Sequence, residues 1–182
     1  MVLRYYYLQG SCINSGKFLV NMLVAIISDI HDNLIYLEKC INYCVTHKVE
    51  KIICCGDITN NATVKKLKDF NKDVYLIRGN ADNFTDSVFA NLLNLHYLGR
   101  TGEITIDNKN IGLCHEPMFF EQMLKNKYDF IFYGHTHKPW VETKGHTHII
   151  NPGTLGGGSN ASTFAIWDTN KPLPELIRTD LI

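Results

Sequence analysis

The feature that most constrains this chain is a set of five apolar runs, each followed at once by side chains that can bind a metal ion. The side chains in these positions are Asp29 and His31, Asp57, Asn80, His115, and His135 with His137. Alone, each would be read as a turn residue, a helix cap or a hydrogen-bonded core residue. Ligands of open α/β sheets bind at the carboxyl edge of the strands, so five such ends in chain order indicate one shared site.

Strand and helix patterns alternate in the first half of the chain, and strands dominate the last third. The predicted strands are residues 23–28, 51–55, 74–77, 103–106, 111–114, 130–133, 140–143, 148–150, 163–167 and 176–179, with a hairpin turn at 107–110. The predicted helices are residues 34–45, which Asn33 is expected to cap, 62–70, 85–93 and 119–124. Strand–helix–strand order favours a parallel sheet with crossover helices. An α/β fold of two packed sheets with helices outside accounts for the whole order.

The N-terminal region contains one apolar stretch, residues 18–27, which is about half the ~20 residues that a membrane span requires. Cleavage after this stretch, as in a signal peptide, would remove the strand that leads into Asp29. We therefore assign residues 1–21 to an N-terminal extension with no assigned role and residues 22–182 to a single domain. Met22 is an alternative start of the protein.

Charge and cysteine usage argue against two classes of protein. The chain has 18 basic and 18 acidic residues, so it lacks the basic excess by which a protein holds nucleic acid through charge alone. A nuclease is still compatible, because bound metal ions change the local potential. The six cysteines form no C-x-x-C pair and no disulfide-type spacing. That usage favours reduced thiols in a cytoplasmic protein, and no segment is long enough for a membrane span.

The residue types suit a pair of divalent metal ions. Two cations about 3.5–4 Å apart repel each other, so an anion must lie between them, and the Asp57 carboxylate is the candidate bridge. His135 with His137, and Asp29 with His31, are each two residues apart; the first pair could serve different ions and the second could share one. Mixed imidazole, carboxylate and amide donors favour manganese, with nickel, iron or zinc as alternatives. Glycines, beside which the backbone can turn sharply, precede three of these side chains at Gly56, Gly79 and Gly134.

Together these motifs resemble the signature of the calcineurin-like metallophosphoesterases. The matching segments are Ser28-Asp-Ile-His31, Gly56-Asp57, Arg78-Gly-Asn80, His115 and Gly134-His-Thr-His137. The short length and the Asn151-Pro-Gly-Thr154 segment are similar to the small YfcE-like phosphodiesterase branch, over roughly residue 22 to the C-terminus. The resemblance implies a four-layer sandwich of two mixed β-sheets flanked by helices. It also implies one metal bound by Asp29, His31, Asp57 and His137, and a second bound by Asp57, Asn80, His115 and His135.

Two positions depart from the common pattern of that superfamily. Many members have a histidine directly after the asparagine, placed to protonate the leaving group, whereas this chain has Ala81; the YfcE-like branch also lacks that histidine. Asp82 is a candidate for the acid or for a substrate contact, and a helix cap is the alternative. The branch often reads His-Gly-His where this chain reads His115-Glu-Pro117, so Glu116 is a second candidate substrate contact.

The sequence thus predicts a phosphodiesterase in which a hydroxide bridging the two metals attacks phosphorus in line with the leaving oxygen. Asn80 would steady the phosphate oxygens, and no protein nucleophile is expected. The expected partner is a small phosphodiester or phosphomonoester substrate, and both a monomer and a dimer are left open. The alternatives are a non-catalytic scaffold like the retromer subunit that resembles this fold, a nuclease or cyclic-nucleotide phosphodiesterase, and a metal-free α/β domain.

Overall fold

Eleven β-strands form two sheets in the computed structural model, which describes residues 22–182. In chain order the strands are β1 Leu23–Ile27, β2 Lys51–Cys54, β3 Asp73–Leu76, β4 Leu95–Tyr97, β5 Thr101–Ile106, β6 Lys109–Cys114, β7 Phe130–Phe132, β8 Trp140–Lys144, β9 Thr147–Asn151, β10 Thr163–Asp168 and β11 Glu175–Arg178. The extension assigned to residues 1–21, with Cys12, lies outside the described residues.

Both sheets are mixed. Sheet A has the order β11-β10-β1-β2-β3-β4, in which β1 to β4 run parallel and β10 and β11 add antiparallel pairs. Sheet B has the order β5-β6-β7-β9-β8, in which β6, β7 and β9 run parallel and the two edge strands are antiparallel. Each sheet therefore carries a block of parallel strands, and the polar loops predicted from the sequence follow strands of those blocks.

Helices cover the outer faces of the two sheets. They are α1 Leu34–Thr46, α2 Asn61–Leu67 and α3 Phe120–Met123, with 3₁₀ turns at Lys68–Phe70, Asp86–Asn91, Pro117–Phe119 and Thr179–Leu181. The Asn33 side chain caps α1 by accepting the Tyr36 N–H, as predicted. Between residues 22 and 182, no helix has the length and apolar character to cross a membrane.

The side chains of the central strands alternate between two hydrophobic cores, because successive side chains of a strand point to opposite faces of the sheet. Val24 and Ile26 of β1 belong to the core between the sheets, where Phe132 of sheet B and Trp167 also lie. The alternate residues of β1 belong to a second core that includes Leu37 of α1. A third, smaller core holds residues of sheet B together with Met123 of α3. The predicted four-layer fold of two mixed sheets flanked by helices is confirmed.

The structure differs from the predicted elements in places where the local pattern is short. The helix predicted over 85–93 is a single 3₁₀ segment with no buried residue, and Leu93 is 92% exposed. Strand β4 was not predicted, because three residues carry too little periodicity to register. The hairpin between β5 and β6 is confirmed: Asp107 and Asn108 form its two-residue turn, with φ of 48° and 59°.

Candidate metal centre

The predicted donors lie where two blocks of parallel strands end. Asp29 and His31 follow β1, Asp57 follows β2 and Asn80 follows β3, all in sheet A. The remaining donors, His115 after β6 and His135 with His137 after β7, come from sheet B. Because Asp29 and His115 come within 4.0 Å of each other, the carboxyl ends of the two sheets meet at one place. The structure thus brings together side chains that are up to 108 positions apart in the chain.

Five of the seven donors have a left-handed backbone, which is uncommon for residues other than glycine. Their φ angles lie between 45° and 69°; the five are Asp29, His31, Asp57, His135 and His137. Such conformations cost of order 1–3 kcal/mol each and persist only where the surrounding structure fixes them. The sharp turns aim consecutive loops at one point, and strain of this kind is concentrated at functional sites.

The first group of donors consists of Asp29, His31 and His137. The Nε2 atoms of the two histidines are 3.1 Å apart, and Asp29 Oδ1 lies 3.2 Å from His137 Nε2 and 3.7 Å from His31 Nε2. Asp57 Oδ2 is also 3.7 Å from His31 Nε2. Asp29 is fully buried, while both imidazoles are about one-third exposed. The group therefore combines a buried carboxylate with two imidazoles that solvent can reach.

The second group of donors consists of Asp57, Asn80, His115 and His135. Asp57 Oδ2 lies 3.3 Å from His115 Nε2, and the Asn80 amide oxygen lies 3.0 Å from the same nitrogen. The same amide oxygen is 2.8 Å from Nδ1 of His135. His115 is fully buried, whereas Asn80 and His135 are exposed. Asp57 stands between the two groups, which is the position that the sequence assigned to a bridging carboxylate.

The orientation of His115 shows that this set of donors fits a cation. Its Nδ1 lies 2.7 Å from the Cys55 carbonyl oxygen, so Nδ1 carries the proton and donates it there. The lone pair of Nε2 is then directed at Asp57 and at the Asn80 oxygen, which are themselves acceptors. Electron-rich atoms this close repel one another unless a positive charge lies among them. Two sets of three side chains in the described chain could each hold an ion, Asp29–His31–His137 and Asp29–Asp57–His115. Within each set, the ligand atoms all lie within 4.8 Å of one another.

The pKa values of these side chains show the same excess of negative charge. The Asp29 carboxylate raises the pKa of His31, and the nearby Asp57 carboxylate adds to the rise. Burial lowers the pKa of His115, but the Asp57 and Asp29 carboxylates and the Cys55 carbonyl together outweigh burial, so the net shift is upward. Burial raises the pKa of Asp57, but the Ala81 N–H and the two nearby imidazoles together outweigh burial, so the net shift is downward. Imidazoles that hold protons more tightly than usual mark a site that attracts cations.

Asp82 and Glu116, the two candidate substrate contacts, are both half-buried. The Asp82 carboxylate accepts backbone N–H groups of Asp57 at 3.2 Å, Thr59 at 2.6 Å and Gly79 at 2.7 Å. It caps no helix of the described chain, so the helix-cap alternative is wrong. Burial raises the pKa of Asp82. Its oxygens thus join the Asp57 loop to the Asn80 loop, and its contact with substrate stays a prediction.

Glu116 directly follows a metal-type ligand but turns away from open solvent. Its side chain is only 15% exposed, and Oε1 lies 3.7 Å from Nη1 of Arg100. Oε2 is buried with no hydrogen-bond partner among the described residues. Its role as a substrate contact likewise stays a prediction.

Sequence reasoning missed two residues that support the site from outside the ligand set. Asn151 donates to the Gly134 carbonyl, and Thr154 donates to the Asp29 carbonyl. Both belong to the Asn-Pro-Gly-Thr segment, which the sequence marked as a loop and as a point of resemblance. The signal was present, but no local pattern indicates which distant backbone groups a loop side chain will reach.

Comparison with known proteins places this geometry in a family. Residues 22–172 match the model of the calcineurin-like phosphoesterase superfamily domain. Phosphodiesterase MJ0936 of Methanocaldococcus jannaschii is 28% identical over 157 residues, covering 82% of this chain and 95% of that protein. Phosphodiesterase YfcE of Escherichia coli is 24% identical over 160 residues, covering 79% and 85% of the two chains. Vacuolar protein sorting-associated protein 29 of Schizosaccharomyces pombe is 27% identical over 172 residues, covering 88% and 85%.

A solved structure of an archaeal phosphodiesterase has the same fold. It superposes with a TM-score of 0.77 at 26% sequence identity, covering 86% of this chain and 99% of the other. The chain belongs to the calcineurin-like phosphoesterase superfamily and, within it, to the small YfcE-like branch.

Proposed function

We propose that this chain is a phosphodiesterase that uses two divalent metal ions to hydrolyse a small phosphodiester. The observation that carries the proposal is the position of the Asp57 carboxylate, whose Oδ2 lies 3.7 Å from His31 Nε2 on one side and 3.3 Å from His115 Nε2 on the other. Similarity to proteins named phosphodiesterase, over most of the length of both chains, supports the same reaction. Zero net charge favours a small diester or monoester over nucleic acid as the substrate.

The proposed ligand sets follow the two groups of donors. One ion would be held by Asp29, His31, Asp57 and His137, and the other by Asp57, Asn80, His115 and His135. When bound, the two ions supply Lewis acidity and a hydroxide at neutral pH for in-line attack on phosphorus. The Asn80 amide oxygen faces the imidazoles, so the amide nitrogen is the part that can donate to a phosphate oxygen.

The chain's own side chains do not favour a covalent route. Cys114, the thiol next to His115, is buried, and burial raises its pKa to about 12. A thiol with that pKa stays protonated near neutral pH and is a poor nucleophile. The Ser28 hydroxyl donates its proton to the Cys55 carbonyl oxygen at 3.3 Å, not to a base that could activate it. Direct attack by water is therefore the proposed route.

We propose manganese as the working metal, with nickel, iron and zinc as alternatives. Four imidazoles, two carboxylates and one amide make a donor set of intermediate softness, which suits these ions better than magnesium or calcium. We also propose a cytoplasmic location, because the five cysteines among residues 22–182 are buried free thiols.

Metal stoichiometry tests the proposal directly. Metal-free protein titrated with Mn²⁺ is expected to bind two equivalents per chain, because two separate groups of donors are present. Elemental analysis of the dialysed complex provides an independent count. Binding of fewer than two equivalents would contradict the binuclear proposal, whatever the activity.

Metal removal is expected to lower thermal stability. An ion present at about 100 times its dissociation constant stabilises the folded state by about 2.7 kcal/mol. In a domain of this size that corresponds to a Tm higher by about 5–10 °C with Mn²⁺ than with chelator. Differential scanning calorimetry measures the difference, and an equal Tm with and without Mn²⁺ would argue against a site built for metal.

The leaving-group dependence of the rate should be steep. Ala81 occupies the position from which a histidine protonates the leaving oxygen in many superfamily members, so the leaving group must depart with little help. Log kcat/KM for a series of aryl and alkyl phosphodiesters is expected to fall strongly as the leaving-group pKa rises. Ala81→His should flatten that slope and Ala81→Leu should not; equal rates for nitrophenyl and alkyl esters in the wild type would refute the idea.

A non-catalytic scaffold is the second candidate function. The observation that favours it is the similarity to vacuolar protein sorting-associated protein 29, which extends over 88% of this chain. The presence of all seven donors weighs against it, since a scaffold has no need of them. Two bound Mn²⁺ ions without hydrolysis of any phosphoester would favour this second function.

A further inference from the structure

The Asn151–Gly156 segment contacts the backbone of both loops that supply the first group of donors. Asn151 is 2% exposed and lies at the end of β9. Its Nδ2 donates to the Gly134 carbonyl at 2.7 Å and to the Thr136 hydroxyl at 3.1 Å. Its Oδ1 accepts the Gly153 N–H at 2.8 Å. Each polar atom of this buried amide is therefore used, and two of its bonds reach the loop that carries His135 and His137.

Thr154 makes the corresponding contact with the other loop. Its hydroxyl is fully buried and donates to the Asp29 carbonyl at 2.9 Å. Backbone N–H groups reinforce the contact, since Leu155 donates to Ser28 O at 2.9 Å and Gly156 donates to Asp29 O at 2.8 Å. The Asn151–Gly156 segment is thus hydrogen-bonded to the left-handed turn at Asp29, although Thr154 and Asp29 are 125 positions apart in the chain.

We propose that Asn151 and Thr154 are positioning residues for the metal centre, which hold the His135–His137 loop and the Asp29 loop at a fixed separation. The inference rests on the proposed function, because it concerns the ions that the function requires. Asp29 and His137 approach to 3.2 Å although they belong to different sheets. The His135 N–H donates directly to the Asp29 carboxylate at 3.0 Å, and the Asn151–Gly156 segment adds a second link because it is bonded to both loops.

The Thr154 hydroxyl bonds to the Asp29 loop alone, whereas Asn151 bonds to the loop that carries both His135 and His137, which gives the proposal a specific signature. The loops of Asp57 and Asn80 are joined by the Asp82 carboxylate, which accepts the backbone N–H groups of Asp57 and Gly79. The turns at Asp29 and His137 are left-handed, with φ of 54° and 57°, and so depend on external bonds to persist. Loss of the Thr154 hydroxyl should therefore weaken the ion bound by Asp29, His31 and His137 more than the other ion.

Paired substitutions at position 154 separate positioning from packing. Thr154→Val keeps the shape of the side chain and removes the donor, whereas Thr154→Ser keeps the donor. Asn151→Asp replaces the donor to Gly134 O with an acceptor at nearly unchanged size. Thr147→Val is the matched control, because Thr147 is also buried and its hydroxyl also donates to a backbone carbonyl, that of Tyr128, outside the site.

The experiment is a Mn²⁺ titration of each metal-free variant, fitted with two dissociation constants, alongside urea unfolding midpoints of the metal-free proteins. Removal of supporting hydrogen bonds around metal ligands typically costs 10–100-fold in affinity. We expect Thr154→Val to weaken one of the two constants by about 10–100-fold, and Asn151→Asp to weaken at least one of them by a similar factor. Thr154→Ser and Thr147→Val should leave both constants within about threefold of wild type.

The outcomes distinguish this inference from the function on which it rests. If wild-type protein fails to bind two equivalents, both are overturned. If wild type binds two and Thr154→Val and Asn151→Asp keep both affinities, only the positioning role is wrong. If Thr147→Val weakens binding as much as Thr154→Val at a similar unfolding midpoint, the effect is general destabilisation and the inference is again wrong.

Discussion

Asp57→Asn is expected to lower kcat/KM for phosphodiester hydrolysis by more than about a hundredfold. Substitution of a residue that only supports a metal ligand typically lowers metal affinity or activity 10–100-fold. Asp57 should matter more, because its carboxylate lies close to donors of both groups. The substitution keeps the shape of the side chain but removes the negative charge that would separate two cations. The same variant should bind no more than one equivalent of Mn²⁺, measured by calorimetry on metal-free protein.

Asp107→Asn is the matched control for that substitution. Asp107 has nearly the same backbone conformation as Asp57, with φ of 48° against 53°, but it is exposed in the β5–β6 hairpin. Asparagine tolerates this conformation well, so activity and metal binding should stay at wild-type levels. Retention of more than about a tenth of wild-type activity by Asp57→Asn would refute the bridging role.

Gly79→Ala is the second substitution with a large expected effect, this time on folding as well as on the site. A Cβ at position 79 would lie 2.1 Å from Asp57 Oδ1 and 2.4 Å from the Asp57 backbone nitrogen. Backbone cannot move aside cheaply, so we expect a loss of about 3 kcal/mol or more in the free energy of unfolding. The displaced Asp57 should also reduce Mn²⁺ binding. Urea unfolding and calorimetry measure the two effects.

Gly145→Ala is the control with which the loss of stability in Gly79→Ala is compared. Gly145 has φ of +65° and nothing within 4 Å of an added Cβ, so alanine there meets only the cost of a left-handed backbone, about 1–2 kcal/mol. Metal binding should be unaffected in this variant. If Gly79→Ala were no less stable than Gly145→Ala and bound two ions, the close packing of the two loops would not matter to the site.

The central architecture could be predicted from the sequence because it depends on strong local signals. Continuous apolar runs such as Leu23–Ile27 mark strands buried on both faces, and the strand–helix order restricts the connections between them. The convergence of the seven donors follows from the same rule, since parallel strands deliver their carboxyl ends to one edge. Their roles as ligands are still predictions.

What could not be predicted depends on contacts between distant parts of the chain. Asp82 looked like a helix cap or a substrate contact, but its carboxylate reaches backbone at Thr59, 23 positions away. Thr154 reaches Asp29 over 125 positions, and no periodicity encodes such a bond. The left-handed turns at the ligands were equally invisible, because Asp and His adopt that conformation only when their surroundings require it.

The measurement that tests the account most directly is hydrolysis of bis-nitrophenyl phosphate by metal-stripped protein, with and without Mn²⁺. His135→Ala is measured alongside, with His47→Ala as control, because His47 is exposed and lies at the opposite end of α1 from the Asp29–His31 loop. We predict Mn²⁺-dependent hydrolysis in the wild type and in His47→Ala, reduced by more than about a hundredfold in His135→Ala. Undiminished activity in His135→Ala, or no hydrolysis by wild type carrying two Mn²⁺ ions, would contradict the account.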